Sequence, residues 1–397
     1  FPTRRSSDLL TPNSEYWKDN AIETFKGNSD LFVDFLQERD RHSAWIETQI
    51  TDVQFEAMFA EPMYIADDAK KYSIPAEIVQ EAANNSKLYG VVRGKHIPVG
   101  LAATESLIGY SKLIREGYSW MRRVNPVNLA KAINNGIDTI RYDDRRSTKC
   151  LVKVGDEMVR SVVSARYAPM PSGDLFNYIN MDYLPENWEK AQFMSGYWTH
   201  ERVRGMWSLA EYRDTFMKTI GMNELLAGFF PALSVESSDT TASSIKMRPM
   251  FIRDDGYEFP LLNKTRTMHI GAETIHERLE SDLRMVFANF KDSENMLFEL
   301  AATPITYGYN TLTHCLKQSK VNMPVEQARE AAQVFFTDKG NGPCTAMDVY
   351  MAVCDAYNYV VRDYPEDKLK ITRACDAAVS AMQSPWQLLD KDTPANL

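Results

Sequence analysis

The hydrophobic pattern of this 397-residue chain changes its period twice, and this change limits the fold class more than any other feature. Up to about residue 140 the apolar residues mostly recur at helical spacing. From about 147 to 265 they alternate with polar residues, as in half-buried strands. From about 270 the helical period returns. We therefore predict an α+β fold in which a central, largely antiparallel sheet is flanked by an N-terminal and a C-terminal helical region.

The same pattern predicts a domain organisation. We expect residues 10–50 to form a loosely attached extension and residues 51–362 to form the α+β domain, which is β-rich over 147–265 and helical over 270–362. Residues 363–397 are expected to add a C-terminal helix and tail. Within the first helical region, Thr51 and Asp52 predict a helix start and Gly136 predicts a helix end.

Two stretches predict particular elements. TKCLVKVGDEMVRSVVSARY predicts a hairpin with strands at 150–154 and 158–167 around a turn at 155–157. GAETIHERLESDLRMVFANFKDSENMLFELAATP, near the start of the second helical region, predicts one long helix of mixed charge.

The first nine residues, FPTRRSSDL, resemble the translation of a short-read sequencing adapter. A basic arm that binds nucleic acid carries more positive charge than these nine residues do, and here Asp8 follows three residues after Arg5. We expect residues 1–9 to be an artefact, with the native start missing, and we exclude Arg4 and Arg5 from the functional argument.

Charge and cysteine usage exclude several classes of protein. The net charge is −9 and the pI about 5.4, which argues against a protein whose whole surface binds nucleic acid. Five scattered cysteines without a CxxC pair argue against a disulfide framework and a zinc ribbon, and favour reduced thiols in the cytoplasm. No apolar run approaches the roughly 18 residues of a membrane span, so we expect no membrane partner.

We find no motif for a metal or a cofactor, and we predict neither. GxxxxGK[ST], HExxH, GxSxG and GxGxxG are all absent. His269 and His276 are seven residues apart, roughly 10 Å along a helix, which is too far for both to bind one zinc ion. The serine-rich stretch at 236–244 is either a turn that satisfies its own backbone or a loop that contacts phosphate.

The predicted strands carry arginines on alternating faces. Arg160, Ser164 and Arg166 share one face of the second hairpin strand, and Arg202 and Arg204 share a face of the strand near residue 200. The window 115–166 contains 11 Lys/Arg and 6 Asp/Glu, a net charge of +5 within an acidic chain.

Such a face, with aromatic residues nearby, is what a platform for single-stranded nucleic acid requires. The candidate nucleic-acid-binding residues are Lys149, Lys153, Arg160, Arg166, Arg202 and Arg204. The alternative is a solvated sheet face, or cations that pair with the chain's many acids.

Four stretches together resemble the phage/plasmid-like domain-of-unknown-function family. They are VRSVVSARYAPMPSGDLFNYI, the segment 232–256, TRTMHIGAETI and CTAMDVYMAVCDAYNYV, and they cover about 150–362. The residues that match the family motifs are Arg160, Ser164, Arg166, Tyr167, Ser238, Gly256, His269, Gly271, Thr345, Asp348 and Tyr350. Ser237, Met351 and Cys354 replace polar family residues, which puts a shared polar site in doubt. The resemblance implies a mobile genetic element, expressed in the cytoplasm of a bacterial host, and no settled activity.

Three hypotheses follow. The first is an accessory protein that binds DNA, mainly single-stranded, in replication, recombination or defence evasion. The second is an enzyme whose polar site gathers Ser164, Tyr167, Ser238 and His269. The third is a structural or interaction protein, such as a virion component or a homo-oligomeric scaffold, which the 19 Met and 19 Tyr residues would suit.

Overall fold

The structure is a computed structural model and describes residues 16–141, 149–213, 228–238, 240, 245–253, 255–261, 265–267 and 275–397. Residues 1–9, His269 and Gly271 lie outside the described residues. The strands are β1 (Ile22–Lys26), β2 (Ser43–Gln49), β3 (Val53–Ala57), β4 (Leu88–Val92), β5 (Lys95–Pro98), β6 (Lys149–Gly155), β7 (Met158–Ser164), β8 (Gln192–Thr199), β9 (Val203–Ser208), β10 (Phe229–Ser237), β11 (Ile245–Arg253), β12 (Glu258–Pro260), β13 (Thr265–Thr267), β14 (Pro304–Ile305) and β15 (Cys344–Thr345).

Helices precede, interrupt and follow the strands. They are α1 (Ser29–Arg41), α2 (Pro62–Tyr72), α3 (Ala76–Asn84), α4 (Thr104–Ser111), α5 (Arg115–Val124), α6 (Pro126–Arg141), α7 (Ser172–Tyr178), α8 (Leu184–Asn187), α9 (Ile275–Arg284), α10 (Val286–Ala302), α11 (Gly308–Leu316), α12 (Val325–Lys339), α13 (Ala346–Asp363), α14 (Lys368–Met382) and α15 (Trp386–Leu389). In the described part of the chain no helix is long and apolar enough to cross a membrane.

The largest sheet confirms the predicted α+β class. Its strand order is β1–β8–β9–β10–β11–β12, with β13 also paired with β11, and these pairings are antiparallel. Two three-stranded antiparallel sheets, β2–β6–β7 and β3–β4–β5, lie beside it. The predicted single β-rich region is therefore divided between the main sheet and the β6–β7 hairpin.

The β6–β7 hairpin confirms the prediction from the alternating pattern. Cys150 pairs with Ser164, and Asp156 and Glu157 form the turn with φ of 50° and 61°. Positive φ at both turn residues matches the twist of the two strands. The return strand ends at Ser164 rather than at Tyr167, because the Tyr167 amide donates to the Ser164 carbonyl oxygen (2.9 Å) and turns the chain.

The described part of the expected loose extension, residues 16–50, instead contributes strands to the main sheet and to the β2–β6–β7 sheet. β1 pairs with β8 at the edge of the main sheet, and β2 pairs with β6 along its whole length. Phe32, Phe35 and Leu36 of α1 are buried, as their helical spacing suggested. The prediction failed because β1 and β2 are short and pair with strands more than a hundred residues away.

The region from 51 to 140 is less helical than predicted. Thr51 and Asp52 belong to a 3₁₀ turn that leads into β3, where Val53 and Phe55 are buried and Gln54 and Glu56 are exposed. This period of two decides for a strand. Gly136 does not end a helix, because α6 continues to Arg141.

The predicted long helix before residue 303 is two helices, α9 and α10, separated at Met285. Further along the chain, α13 begins with a capping box. The side chains of Thr345 and Asp348 each accept a hydrogen bond from the other residue's backbone amide. Val349, Val353 and Tyr357 of α13 are fully buried. The C-terminal helices thus pack into the core of the main sheet.

Two hydrophobic cores divide the molecule into two lobes. The larger contains α1, α7, the main sheet and the C-terminal helices, and the smaller contains the two three-stranded sheets with α4, α5 and α6. The lobes meet where the β6–β7 hairpin lies beside the β8–β9 turn and the segment 16–19.

Candidate functional site

Arg160 on β7, a predicted nucleic-acid contact, is buried where the two lobes meet. Its guanidinium donates to Asp19 Oδ1 (2.9 Å), to the Trp17 carbonyl (2.8 Å) and to the Gly155 carbonyl (3.3 Å). The two side chains of the Arg160–Asp19 pair are only 2% and 3% exposed. Burial raises the pKa of the Asp19 carboxyl. Arg160 therefore holds the segment 16–19 in place and is not available to a phosphate backbone.

Arg202 and Arg204 are also used in ion pairs, with carboxylates of the main sheet. Arg202 pairs with Glu236, and Arg204 pairs with Glu258 (3.0 Å). Only 19% and 14% of the two arginine side chains are exposed. The predicted exposed basic face must therefore be corrected, since helices of the C-terminal region cover the sheet face that carries these arginines.

The remaining three predicted cations lie on the β2–β6–β7 sheet and its end. Lys153 is buried, with its ammonium 5.9 Å from the centre of the Trp45 ring. Lys149 is exposed and pairs with Glu47 (2.7 Å), and Arg166 is exposed just beyond β7. The structure thus leaves two of the six predicted contacts at the surface.

The arginines of the main sheet belong to a cluster that we call the polar cleft. Its residues are Arg204, Ser234, Glu236, Lys246, Arg248, Tyr357, Thr372 and Cys375. Cross-strand pairing explains the cluster, because Glu236 lies opposite both Arg204 and Lys246, and Ser234 lies opposite Arg248.

Each charge in the polar cleft has a partner. Lys246 Nζ lies 2.7 Å from Asp376, and Arg248 pairs with the same carboxylate. Burial alone would raise the pKa of the Glu258 carboxyl, but the Arg204 guanidinium and the Tyr357 hydroxyl more than offset this, and the pKa lies below its ordinary value. The charged forms are therefore the stable ones.

The polar cleft is closed to a substrate. The space that a water-sized sphere can occupy there is about 10 Å³, roughly room for one water molecule. Burial raises the pKa of the Cys375 thiol, so this side chain is not an activated nucleophile. We interpret the polar cleft as the ion-pair network that fixes α14 on the sheet.

The described family-motif residues have separate surroundings. Ser164 is exposed, Tyr167 is buried against the Trp45 ring, and the Ser238 hydroxyl lies 3.4 Å from that of Thr240. Gly256 occupies a turn with φ of 86°.

Three further motif positions have structural roles in α13 or at its start. Thr345 and Asp348 form its capping box, and the Tyr350 hydroxyl donates to the Pro260 carbonyl (2.8 Å). These contacts give Thr345, Asp348 and Tyr350 structural roles.

An exposed surface on α5 was missed by the sequence argument. Trp120 and Val124 of α5 are 57% and 58% exposed, and Ile114 just before α5 and Val127 of α6 are also exposed. Arg123 is exposed between Trp120 and Val124 on the same side of α5, because residues three and four apart are neighbours on a helix. We call Trp120, Arg123 and Val124 the Trp120 face. Arg122 and Arg123 follow Trp120 within the basic window 115–166, and this sequence pattern could have indicated the Trp120 face.

The Trp120 face lies in a basic stretch whose cations are largely free. Residues 104–131 contain five Lys/Arg and two Asp/Glu, a net charge of +3. Arg115 pairs with Glu105. No ion pair joins Lys112, Arg122, Arg123 or Lys131 to a carboxylate within the described ranges.

The described residues contain no group of three or more His, Cys, Asp and Glu side chains that could hold a metal ion. Comparisons of the chain with protein-family models, with curated proteins and with solved structures found no match. The resemblance to the phage/plasmid-like family therefore stays a prediction from the sequence.

Proposed function

We propose that the protein binds single-stranded nucleic acid, with DNA as the expected ligand, through the Trp120 face. The observation that carries this proposal is the exposed Trp120 ring with the exposed Arg123 three residues later, whose guanidinium pairs with no carboxylate of the described residues. A ring of this kind stacks on an unpaired base, and a nearby guanidinium neutralises a phosphate. The proposed function is the one predicted from the sequence, but the proposed binding surface is on α5 and not on the sheet.

The position of α5 supports this use. Tyr118 is buried and anchors the helix on α6, so that the opposite side is held towards solvent. Arg122 adds positive charge two residues after the ring. A single strand is favoured over a duplex, because only unstacked bases offer a face to the ring.

The test is a titration of fluorescent single-stranded and duplex oligonucleotides with a protein that starts at Leu10, at about 50 and about 200 mM salt. We expect tighter binding of the single strand and a loss of affinity with salt. Trp120→Ala should weaken binding by about 5- to 150-fold, because one base–ring stack is worth about 1–3 kcal/mol. Arg123→Ala should reduce the slope of log K against log salt by about 0.7.

Matched control variants distinguish binding at the Trp120 face from non-specific binding elsewhere on the protein. Phe336→Ala removes an exposed ring in the C-terminal region, and Arg373→Ala removes an exposed cation there. Both variants should bind like the wild type. Equal losses in test and control variants, or no binding at low salt, would exclude the proposal. Binding of anionic lipid vesicles that depends on Trp120, without binding of DNA, would identify the face as a membrane-surface site instead.

A further inference from the structure

A second cleft lies where the two lobes meet, and we call it the junction cleft. Its charged and polar lining includes Arg39 of α1, Lys153 of β6, Asp156 of the hairpin turn, Arg160 of β7, His200 of the β8–β9 turn and Thr240. A water-sized sphere can occupy about 30 Å³ of it, roughly the space of two or three water molecules. It is wider than the polar cleft and joins both lobes.

Arg39 carries a buried donor atom in this cleft, its Nε, that lacks an acceptor among the described residues. Its guanidinium carbon lies 4.7 Å from the centre of the Tyr16 ring and 5.3 Å from that of Trp198, and it pairs with Asp156. Its side chain is 10% exposed, and its buried Nε has no hydrogen-bond acceptor in the described structure. A buried charged donor without an acceptor is unfavourable. A ligand that places an acceptor atom next to Arg39 Nε would therefore be stabilised in the cleft.

The charges around the cleft favour an anion as that acceptor. Arg39 and Lys153 line it with the carboxylates of Asp40 and Asp156, whereas the charge of Arg160 is already balanced by Asp19. Asp40 is occupied with the Gly173 amide, whose nitrogen lies 2.6 Å away. Burial, and then the two arginines, hold the pKa of His200 well below its ordinary value, as expected in a positive environment.

We propose that the junction cleft binds a phosphate group, either free phosphate or the end of a phosphomonoester. Arg39 supplies a planar donor held between two rings, and Lys153 supplies a second, more flexible cation. Thr240 belongs to the serine-rich stretch for which the sequence left a phosphate-contacting loop open, and its carbonyl accepts from the Ser161 hydroxyl. This inference does not depend on nucleic-acid binding by the Trp120 face.

The first experiment titrates the whole protein with inorganic phosphate by isothermal calorimetry, with potassium chloride at matched ionic strength as the blank. We expect saturable binding at one site. Lys153→Met should weaken it at least about tenfold, because one charge-assisted contact is lost. Lys149→Met is the matched control: it changes the same residue type on the same face of β6 at an exposed position, and it should bind phosphate like the wild type.

Two results would overturn the proposal. One is the absence of saturable phosphate binding by the wild type. The other is an equal loss of affinity in the Lys149 and Lys153 variants, which would indicate a general effect of surface charge. If Lys153→Met does not fold, the ³¹P linewidth of phosphate is measured with the wild type and with Lys153→Arg. Broadening by both proteins at substoichiometric concentration supports the site, and a linewidth unchanged from the blank excludes it.

A second arm distinguishes the two sources of the phosphate. Two oligonucleotides of one sequence, with and without a 5′-phosphate, compete against bound inorganic phosphate. Displacement by the phosphorylated strand alone, lost in Lys153→Met, would identify a nucleic-acid end as the ligand. If the two strands displace bound inorganic phosphate to the same extent, the ligand is free phosphate or a small phosphomonoester. Since the first arm uses no nucleic acid, failure of the Trp120 face and failure of the junction cleft give different results.

Discussion

Replacing Arg160 by methionine tests the main tie between the N-terminal segment and the β6–β7 hairpin. Methionine keeps much of the length of the side chain and removes three donated hydrogen bonds, to Asp19, Trp17 and Gly155. The Asp19 carboxylate stays buried, with the Leu101 amide (2.7 Å) and the Asn85 side chain (3.0 Å) as remaining donors.

The size of the effect follows from this geometry. Removing one partner of a buried ion pair costs about 3–5 kcal/mol, because the other charge is left uncompensated. The two remaining donors to Asp19 place the expected loss at the lower end, and the orphaned Trp17 carbonyl adds about 1 kcal/mol. We therefore expect the free energy of unfolding to fall by about 3–4 kcal/mol.

The assay is urea unfolding followed by tryptophan fluorescence and circular dichroism, whose transitions must coincide if unfolding is two-state. The double variant Arg160→Met with Asp19→Leu should recover most of the loss, because it leaves no buried charge.

Arg362→Met is the control, since Arg362 pairs with Glu330 at the surface and we expect no measurable change there. A loss in Arg160→Met no larger than in this control would refute the reasoning, and so would a double variant as unstable as the single one.

Three further predictions concern single positions. Burial and two neighbouring arginines hold the pKa of His200 well below 6.5 in the folded protein. As the pH drops below about 6.5, His200 of the unfolded chain binds a proton and His200 of the folded protein does not. The free energy of unfolding therefore falls by up to about 1.4 kcal/mol per pH unit. His200→Gln should remove this slope in urea midpoints measured between about pH 6.5 and 5, whereas exposed His42→Gln should keep it. Gly136→Ala should lower the melting temperature, because its Cβ would lie 2.7 Å from a backbone carbon of α4, whereas Gly109→Ala, with open space around it, should raise it slightly. Thr345→Ala should cost about 1 kcal/mol of unfolding free energy by loss of the capping box, and Thr345→Ser should retain it.

Local rules explain which sequence predictions of structure succeeded. The hairpin at 149–164 was correct because alternation and a short polar turn act between residues close in the chain. The return of helices after residue 270 was correct for the same reason. β3 was missed because five residues are too few for a period to be recognised, although VQFEA alternates in burial.

The candidate sites were predicted less well, because exposure depends on distant partners. Arg160, Arg202 and Arg204 were identified as cations on strands, which is correct, and as exposed contacts, which is not. Nothing in the residues around 160 indicates that Asp19, 141 positions earlier, would meet it. The Trp120 face was missed because an apolar ring at helical spacing is more often directed to the core.

By itself, the sequence determined the α+β class, the hairpin and the capped helix of the C-terminal region, since periodicity, turn chemistry and capping act over a few residues. Only the tertiary structure decided which cations are free. Burying a charge is so unfavourable that every buried arginine requires a carboxylate or a carbonyl, and these come from whichever strand or helix packs against it. That pairing assigned the strand arginines to the ion-pair network and left Arg123 beside Trp120 at the surface.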